Sequence, residues 1–335
     1  MRILFAGTPA IALPSLRMLA EGALSGRWVL AGILTNPDKP RGRGRRAGGP
    51  GEEGGGAEPS EVGRAAAELA GEYAARGLAA PAILKPETLK AEAREAAAAL
   101  KPDLLVTFAY GRIFGPRFLG LFPLGGINVH PSLLPKYRGA SPIQEAILRR
   151  DPVTGITIQR IALEMDEGNI LARREIPLTG GETAGSLGKT AALEGSALLW
   201  EVMEDFLQPP PPEGVPQRGE ASYCARIGKD SGLIDWSLSA LEIGALIRAY
   251  QPWPLARTVH QGRIINILEA APWEGEAPSP AAPPGGILGI DKKCGILIQT
   301  GKGVLAVSVL QYQARKALPW RAFLNGARDF IGSRL

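Results

Sequence analysis

Short apolar runs recur along the first two thirds of the chain, each followed by a stretch with apolar residues at helical spacing. Residues 2–6 form one such run and stop at the turn Gly7-Thr8-Pro9, a helical pattern continues to Leu19, and residues 28–34 form a second run. This is a strand-helix-strand unit. Residues 103–109 (DLLVTFA), 126–130 (GINVH) and 155–161 (GITIQRI) are further β-rich runs, separated by helical stretches such as 87–100. The alternation predicts an α/β fold with a doubly wound, mostly parallel sheet of Rossmann-like type. Ligands of such sheets collect beyond the carboxyl ends of the strands. The first turn lacks G-x-G-x-x-G, which disfavours a dinucleotide.

The pattern changes after residue 207. A long helical segment at 182–207 gives way to crowded prolines at 208–220, which fit neither helix nor central strand. Beyond it, 239–250 reads as one amphipathic helix. Short β runs follow at 257–259, 263–268, 286–290, 295–299 and 304–310, with Gln261-Gly262 and Gly301-Lys302-Gly303 as hairpin signals. Closely spaced short strands predict a small β-barrel of OB-like type as the C-terminal domain. The expected boundaries are 1–207 for the first domain, 208–222 for a Pro-rich linker and 223–335 for the second.

Composition sharpens this picture. With 335 residues, 45% hydrophobic and 21% charged, the chain can bury a sizeable core and has length for two domains. The opening MRILFAGTPA lacks a signal-peptide pattern and no run is long enough for a membrane span, so a cytoplasmic protein without membrane contact is expected. Cys224 and Cys294 stand far apart, and with only His130 and His260 besides they supply no zinc set; no metal is expected. Residues 1–222 carry 25 basic and 25 acidic side chains, whereas 223–335 carry 13 and 8. The whole excess of +5 therefore lies in the C-terminal third, which suits a polyanionic partner.

The strongest candidate chemistry lies in residues 126–135. Side chains alternate along a strand, so Asn128 and His130 project to one face while Ile127 and Val129 face the other. An amide N–H and an imidazole N–H then converge at a strand end, where both can point at an oxygen that gains negative charge. Asp166, in the turn that follows the run at 155–161, is a third candidate: a carboxylate there can hold a protonated imidazole or relay a proton.

The runs GINVHPSLLP at 126–135, RGASPIQ at 138–144, GITI at 155–158 and MDEG at 165–168 together resemble the folate-dependent formyltransferases. The resemblance implies that Asn128, His130 and Asp166 form the catalytic set and that Ser132, Leu133, Leu134 and Pro135 lie in the folate site. It implies 10-formyltetrahydrofolate as the co-substrate. RILFAGTP at 2–9, NPDKPRGRG at 36–44, IDWS at 234–237 and RAYQPWP at 248–254 are similar to the branch that formylates methionyl-tRNA. In that branch the C-terminal barrel helps to hold the tRNA, so initiator methionyl-tRNA is the implied partner of a chain for which a monomer suffices.

The basic segment makes separate physical sense. Lys39, Arg41, Arg43, Arg45 and Arg46 stand among glycines with only Asp38 opposing them, a cationic loop suited to phosphates or base edges. The resemblance assigns tRNA binding above all to Arg43. The chain departs from the family pattern in its glycine-rich residues 47–59, whose ordering on a target costs extra entropy. Expected chemistry is attack of a neutral α-amine on the formyl carbon, with the oxyanion between Asn128 and His130 and with Asp166 keeping the imidazole charged. Two alternatives stay open: a formyltransferase acting on a nucleotide-sugar amine or a formyltetrahydrofolate hydrolase on the same scaffold, and a non-catalytic RNA-binding protein.

Overall fold

Seven strands pair side by side in the first half of the chain, in the order 170–177, 153–160, 126–130, 104–108, 2–7, 29–34 and 82–84. The computed structural model describes residues 1–40, 57–275, 282–327 and 329–335. The strands are β1 (Arg2–Gly7), β2 (Val29–Leu34), β3 (Ala82–Leu84), β4 (Leu104–Phe108), β5 (Gly126–His130), β6 (Val153–Arg160) and β7 (Ile170–Pro177). β1 pairs in parallel with β2 and β4, β2 with β3, and β4 with β5. The strand order reverses between β1 and β4, the crevice expected of a doubly wound sheet. Leu104 to Phe108 are all buried, as both-face coverage requires of a central parallel strand.

Local chemistry explains the helices that cover this sheet. Helix α1 (Leu13–Leu24) opens with Pro14 in its first turn, where a missing N–H costs nothing. Helix α2 (Glu61–Ala75) is capped by Ser60, whose Oγ accepts from Gly63 N at 2.9 Å. The predicted helix at 87–100 is observed only over α3 (Ala91–Ala99), its first residues forming bends after Pro86. Tyr110, Phe114, Phe118 and Phe122 form a chain of ring contacts that joins Leu4, Leu34 and Leu105 in one core cluster.

Two features of this sheet depart from the pattern reading. β6 runs antiparallel to β5, with Ile127 opposite Arg160 and His130 opposite Thr157. β7, absent from the predicted strands, pairs beside β6 as the edge; the consecutive charged residues Arg173, Arg174 and Glu175 disguise it. Arg174 reaches Glu194 at 3.2 Å and Glu201 at 2.5 Å on the long helix α5 (Ala184–Phe206). The opposite edge, β3, has three residues between Pro81 and Pro86.

The chain divides into two units, Met1–Gly139 with Gly155–Ile176 and Lys189–Tyr223, and Ala140–Thr154 with Pro177–Gly188 and Cys224–Leu335. The short helix α4 (Pro142–Leu148) belongs to the second. There, helix α6 (Ala240–Ala249) starts at a capping box in which Ser239 accepts from Glu242 N and Glu242 from Ser239 N. An antiparallel sheet follows, pairing β8 (Ala256–His260), β9 (Arg263–Trp273), β12 (Val304–Tyr312), β11 (Gly295–Gln299) and β10 (Ile287–Asp291) in that order. His260 faces Arg263 around Gln261 and Gly262, both at positive φ, the two-residue hairpin that the sequence signals. Ile243, Ile265, Ile296, Ile298, Leu305, Val307 and Phe323 of helix α7 (Trp320–Asn325) fill its core.

Candidate active site

β5 positions the first two groups through its pairing with β4. Asn128 lies opposite Thr107, whose hydroxyl donates to Asn128 Oδ1 at 2.7 Å, so the amide must turn its Nδ2 donor the other way. That donor faces Asp166 Oδ1 at 3.5 Å. His130 Nδ1 lies 3.5 Å from the same oxygen, on the same face of β5 two residues on. The three groups singled out from sequence therefore meet at one carboxylate oxygen.

Asp166 arrives by a route the sequence did not disclose. Because β6 is antiparallel, its carboxyl end lies beside the start of β5, away from His130. The connection at 161–169 folds back across the sheet face, and Asp166 takes a left-handed φ of +56°, which an Asp tolerates better than most residues. Two further donors then fix the carboxylate: Gln159 Nε2 to Oδ1 at 2.8 Å and Gly139 N to Oδ2 at 2.8 Å. The 3.5 Å separations of Asn128 Nδ2 and His130 Nδ1 from Oδ1 are long, so Gln159 and Gly139 hold Asp166 while Asn128 and His130 keep capacity for a reactant.

The imidazole is oriented by its second nitrogen. His130 Nε2 lies 2.9 Å from the carbonyl oxygen of Tyr137, which can only accept, so Nε2 carries the hydrogen. The ring is 4% exposed, and this burial outweighs the Asp166 carboxylate and the Tyr137 carbonyl, holding its pKa below the ordinary 6.5. Nε2 is thus committed to Tyr137, and Nδ1 is the ring nitrogen turned towards Asp166.

Residues 131–138 form a closed loop beyond β5. Ser132 N donates to His130 O at 2.9 Å, and Ser132 Oγ to Lys136 O at 2.5 Å. Thr157 on β6 ties it down, donating to Ser132 O and accepting from Leu134 N. Ser132 and Leu134 are buried, whereas Leu133 and Pro135 keep partial exposure. Lys39 is exposed on a two-residue strand paired with Ala57–Glu58; Arg41, Arg43, Arg45 and Arg46 lie outside the described residues.

Sequence reasoning missed Thr107, Gln159 and Gln217. Thr107 and Gln159 are the cross-strand partners of Asn128 on either side, a signal available only once strand register is known. Gln217 sits in the Pro-rich segment and donates to the carbonyl oxygens of Asp166 and Gly168 at 2.7 and 2.9 Å. Among the described residues no group of three or more His, Cys, Asp or Glu is arranged to hold a metal. No described helix is long and apolar enough to cross a membrane.

The arrangement can donate a hydrogen bond from Asn128 Nδ2, accept a proton at His130 Nδ1 and stabilise the resulting cation with Asp166. Comparison with known proteins gives this chemistry a family. Residues 1–203 match the model of the formyl transferase family, and residues 226–328 match that of the formyl transferase C-terminal domain. The methionyl-tRNA formyltransferase of Treponema denticola is 45% identical over 99% of this chain and 98% of its own length. That of Borrelia duttonii is 37% identical over 99% of both chains. Among solved structures, an N-formyltransferase from Helicobacter canadensis in complex with folinic acid and dTDP-3-aminofucose superposes with a TM-score of 0.61 at 18% identity, covering 93% of this chain and 99% of its own. Methionyl-tRNA formyltransferase from Clostridium thermocellum superposes with a TM-score of 0.52 at 16% identity, covering 82% and 95%. With both family models matched and near-complete relatives at this identity, the chain belongs to the formyl transferase family of enzymes.

Proposed function

We propose that this chain transfers the formyl group of 10-formyltetrahydrofolate to the α-amino group of methionyl initiator tRNA, as a cytoplasmic monomer. The observation that carries the reading is the meeting of Asn128, His130 and Asp166 at one oxygen, within a chain whose full-length relatives are named methionyl-tRNA formyltransferases. We further propose residues 1–207 as the catalytic domain, 208–222 as a connecting segment and 223–335 as the tRNA-binding domain.

The folate supplies an activated formyl carbon, and Ser132, Leu133, Leu134 and Pro135 are the residues proposed to hold it. The closed 131–138 loop fits that task, because its partly exposed Leu133 and Pro135 offer apolar surface beside buried, hydrogen-bonded anchors. Asn128 donates from Nδ2 to the formyl oxygen, whose charge grows as the amine nitrogen bonds to carbon. His130 takes the amine proton at Nδ1, since Nε2 is already protonated towards Tyr137. Asp166 then faces an imidazolium rather than a neutral ring, which lowers the cost of that transfer, and the imidazolium returns the proton to the folate nitrogen as its bond to the formyl carbon breaks and tetrahydrofolate leaves. Lys39, Arg41, Arg43, Arg45 and Arg46 are proposed to contact tRNA phosphates.

The test is direct. The full chain is incubated with 10-formyltetrahydrofolate and methionylated initiator tRNA, and formylmethionine is sought after deacylation. Formyl transfer to a nucleotide-sugar amine, or formate release without tRNA, in place of formylmethionine would overturn the reading.

A further inference from the structure

The turn that carries Asp166 is held from outside by a residue 51 positions further along the chain. Gln217 Nε2 donates to Asp166 O at 2.7 Å and to Gly168 O at 2.9 Å, and lies 3.4 Å from Gln159 Oε1. Its Oε1 accepts from Arg138 Nε at 3.2 Å and from Arg138 Nη2 at 2.8 Å. The guanidinium can only donate and the two carbonyls can only accept, so the amide has one satisfactory orientation. Arg138 also donates from Nη1 to Glu167 Oε1 at 2.6 Å. Asp166 is thereby gripped through its own carbonyl and through the two residues that follow it.

Two observations show why such a grip matters. Asp166 has a positive φ, a conformation that costs free energy and persists only when its surroundings impose it. The backbone of the Gln217 segment is itself fixed to the start of β7, with Ile170 N donating to Val215 O at 2.7 Å and Val215 N to Ile170 O at 2.9 Å. The segment read from sequence as a proline-rich linker thus forms the outer wall of the catalytic turn.

We infer that Gln217 is a positioning residue for the Asp166 carboxylate, acting through the two backbone carbonyls it caps and through its link to Arg138. It donates to backbone and not to the reactive oxygen, so its effect on rate is transmitted wholly by Asp166. This role rests on the part proposed above for Asp166 in formyl transfer.

The experiment is a double-mutant cycle on the full chain, with single-turnover formylation of methionylated initiator tRNA as the readout. Gln217→Glu is nearly isosteric and keeps an acceptor for Arg138 but loses both donors; Gln217→Ala removes everything, and the unfolding midpoint is recorded for each. The expected result is a fall in rate of about 10- to 100-fold with KM for folate and tRNA nearly unchanged, as a small misplacement of a catalytic group produces. In an Asp166→Asn background the same substitutions should cost little further, because the group they position has gone. Additive losses in that background, or a wild-type rate in Gln217→Glu with Asp166→Asn impaired, overturn the role of Gln217 alone. A wild-type chain that makes no formylmethionine overturns the proposed function, and this role with it.

Discussion

Thr107 donates its hydroxyl to Asn128 Oδ1 at 2.7 Å across the β4–β5 pair. This contact decides which end of the amide is free. With Oδ1 occupied, Nδ2 is the end offered to a reactant, and the strand pairing sets its direction before any ligand arrives. Thr107→Val preserves shape but releases the amide to rotate, and the rate of formylation should fall about tenfold without loss of fold. Single-turnover kinetics beside a thermal melt checks this; an unchanged rate would remove Thr107 from the account.

Asn128→Ala and Asp166→Ala should each reduce turnover by about 10²- to 10³-fold, the usual cost of losing a donor to a developing oxyanion or its charge partner. Affinity for tRNA, measured by filter binding, should stay close to wild type. A parallel loss of binding would show that these side chains support the tRNA surface and not the chemistry.

Acid should slow the reaction through His130. Burial lowers its folded pKa below 6.5, so the neutral ring persists at neutral pH and is protonated only further into acid. The substrate's own α-amine adds an acidic limb to kcat/KM, so His130 is expected to show as a further steepening of the profile below pH 6.5, and a profile that does not steepen there would sink the assignment. The stability sign follows from the same shift. As pH falls below 6.5 the unfolded chain takes up the proton first, so the contribution of His130 to stability declines until the folded pKa is passed. Denaturant titrations at several pH values, compared between wild type and His130→Asn, measure that slope.

Gly155 on β6 lies against the loop beyond β5. A Cβ there would overlap the carbonyl of Arg174 and the side chain of Leu133. Gly155→Ala should therefore cost about 1–3 kcal/mol in stability and raise KM for folate more than KM for tRNA. Equal effects on both KM values would separate Leu133 from the folate site.

For the basic segment, Arg43→Ala should weaken tRNA binding and lower the slope of log affinity against log salt by about one. Rates at saturating tRNA should hold. A fall in saturated rate with unchanged affinity would contradict a phosphate-contacting role.

Much of this site was legible from local pattern alone. Period-two alternation set Asn128 and His130 on one face of β5, and the structure brings both within 3.5 Å of Asp166 Oδ1. Direction was not legible, since an apolar run such as GITIQRI reads the same in a parallel or an antiparallel strand. Asp166 lies in the turn expected after that run, but the antiparallel direction of β6 means that this turn must fold back across the sheet to reach His130. Gln217 was hidden for another reason: prolines around it describe what the backbone cannot form, and say nothing of where an amide 51 residues away will lodge. The downward shift of the His130 pKa also needed burial, which composition does not carry.

The seven-stranded sheet ends on one side in three residues bracketed by Pro81 and Pro86, and on the other in a strand carrying Arg173, Arg174 and Glu175. Neither margin is an inviting template for a stray strand: the first is too short, and the second would force charges against the newcomer. A nascent or partly opened copy therefore has little means of recruiting its neighbours edge to edge, and the sheet is protected from aggregation at the two places where it stops.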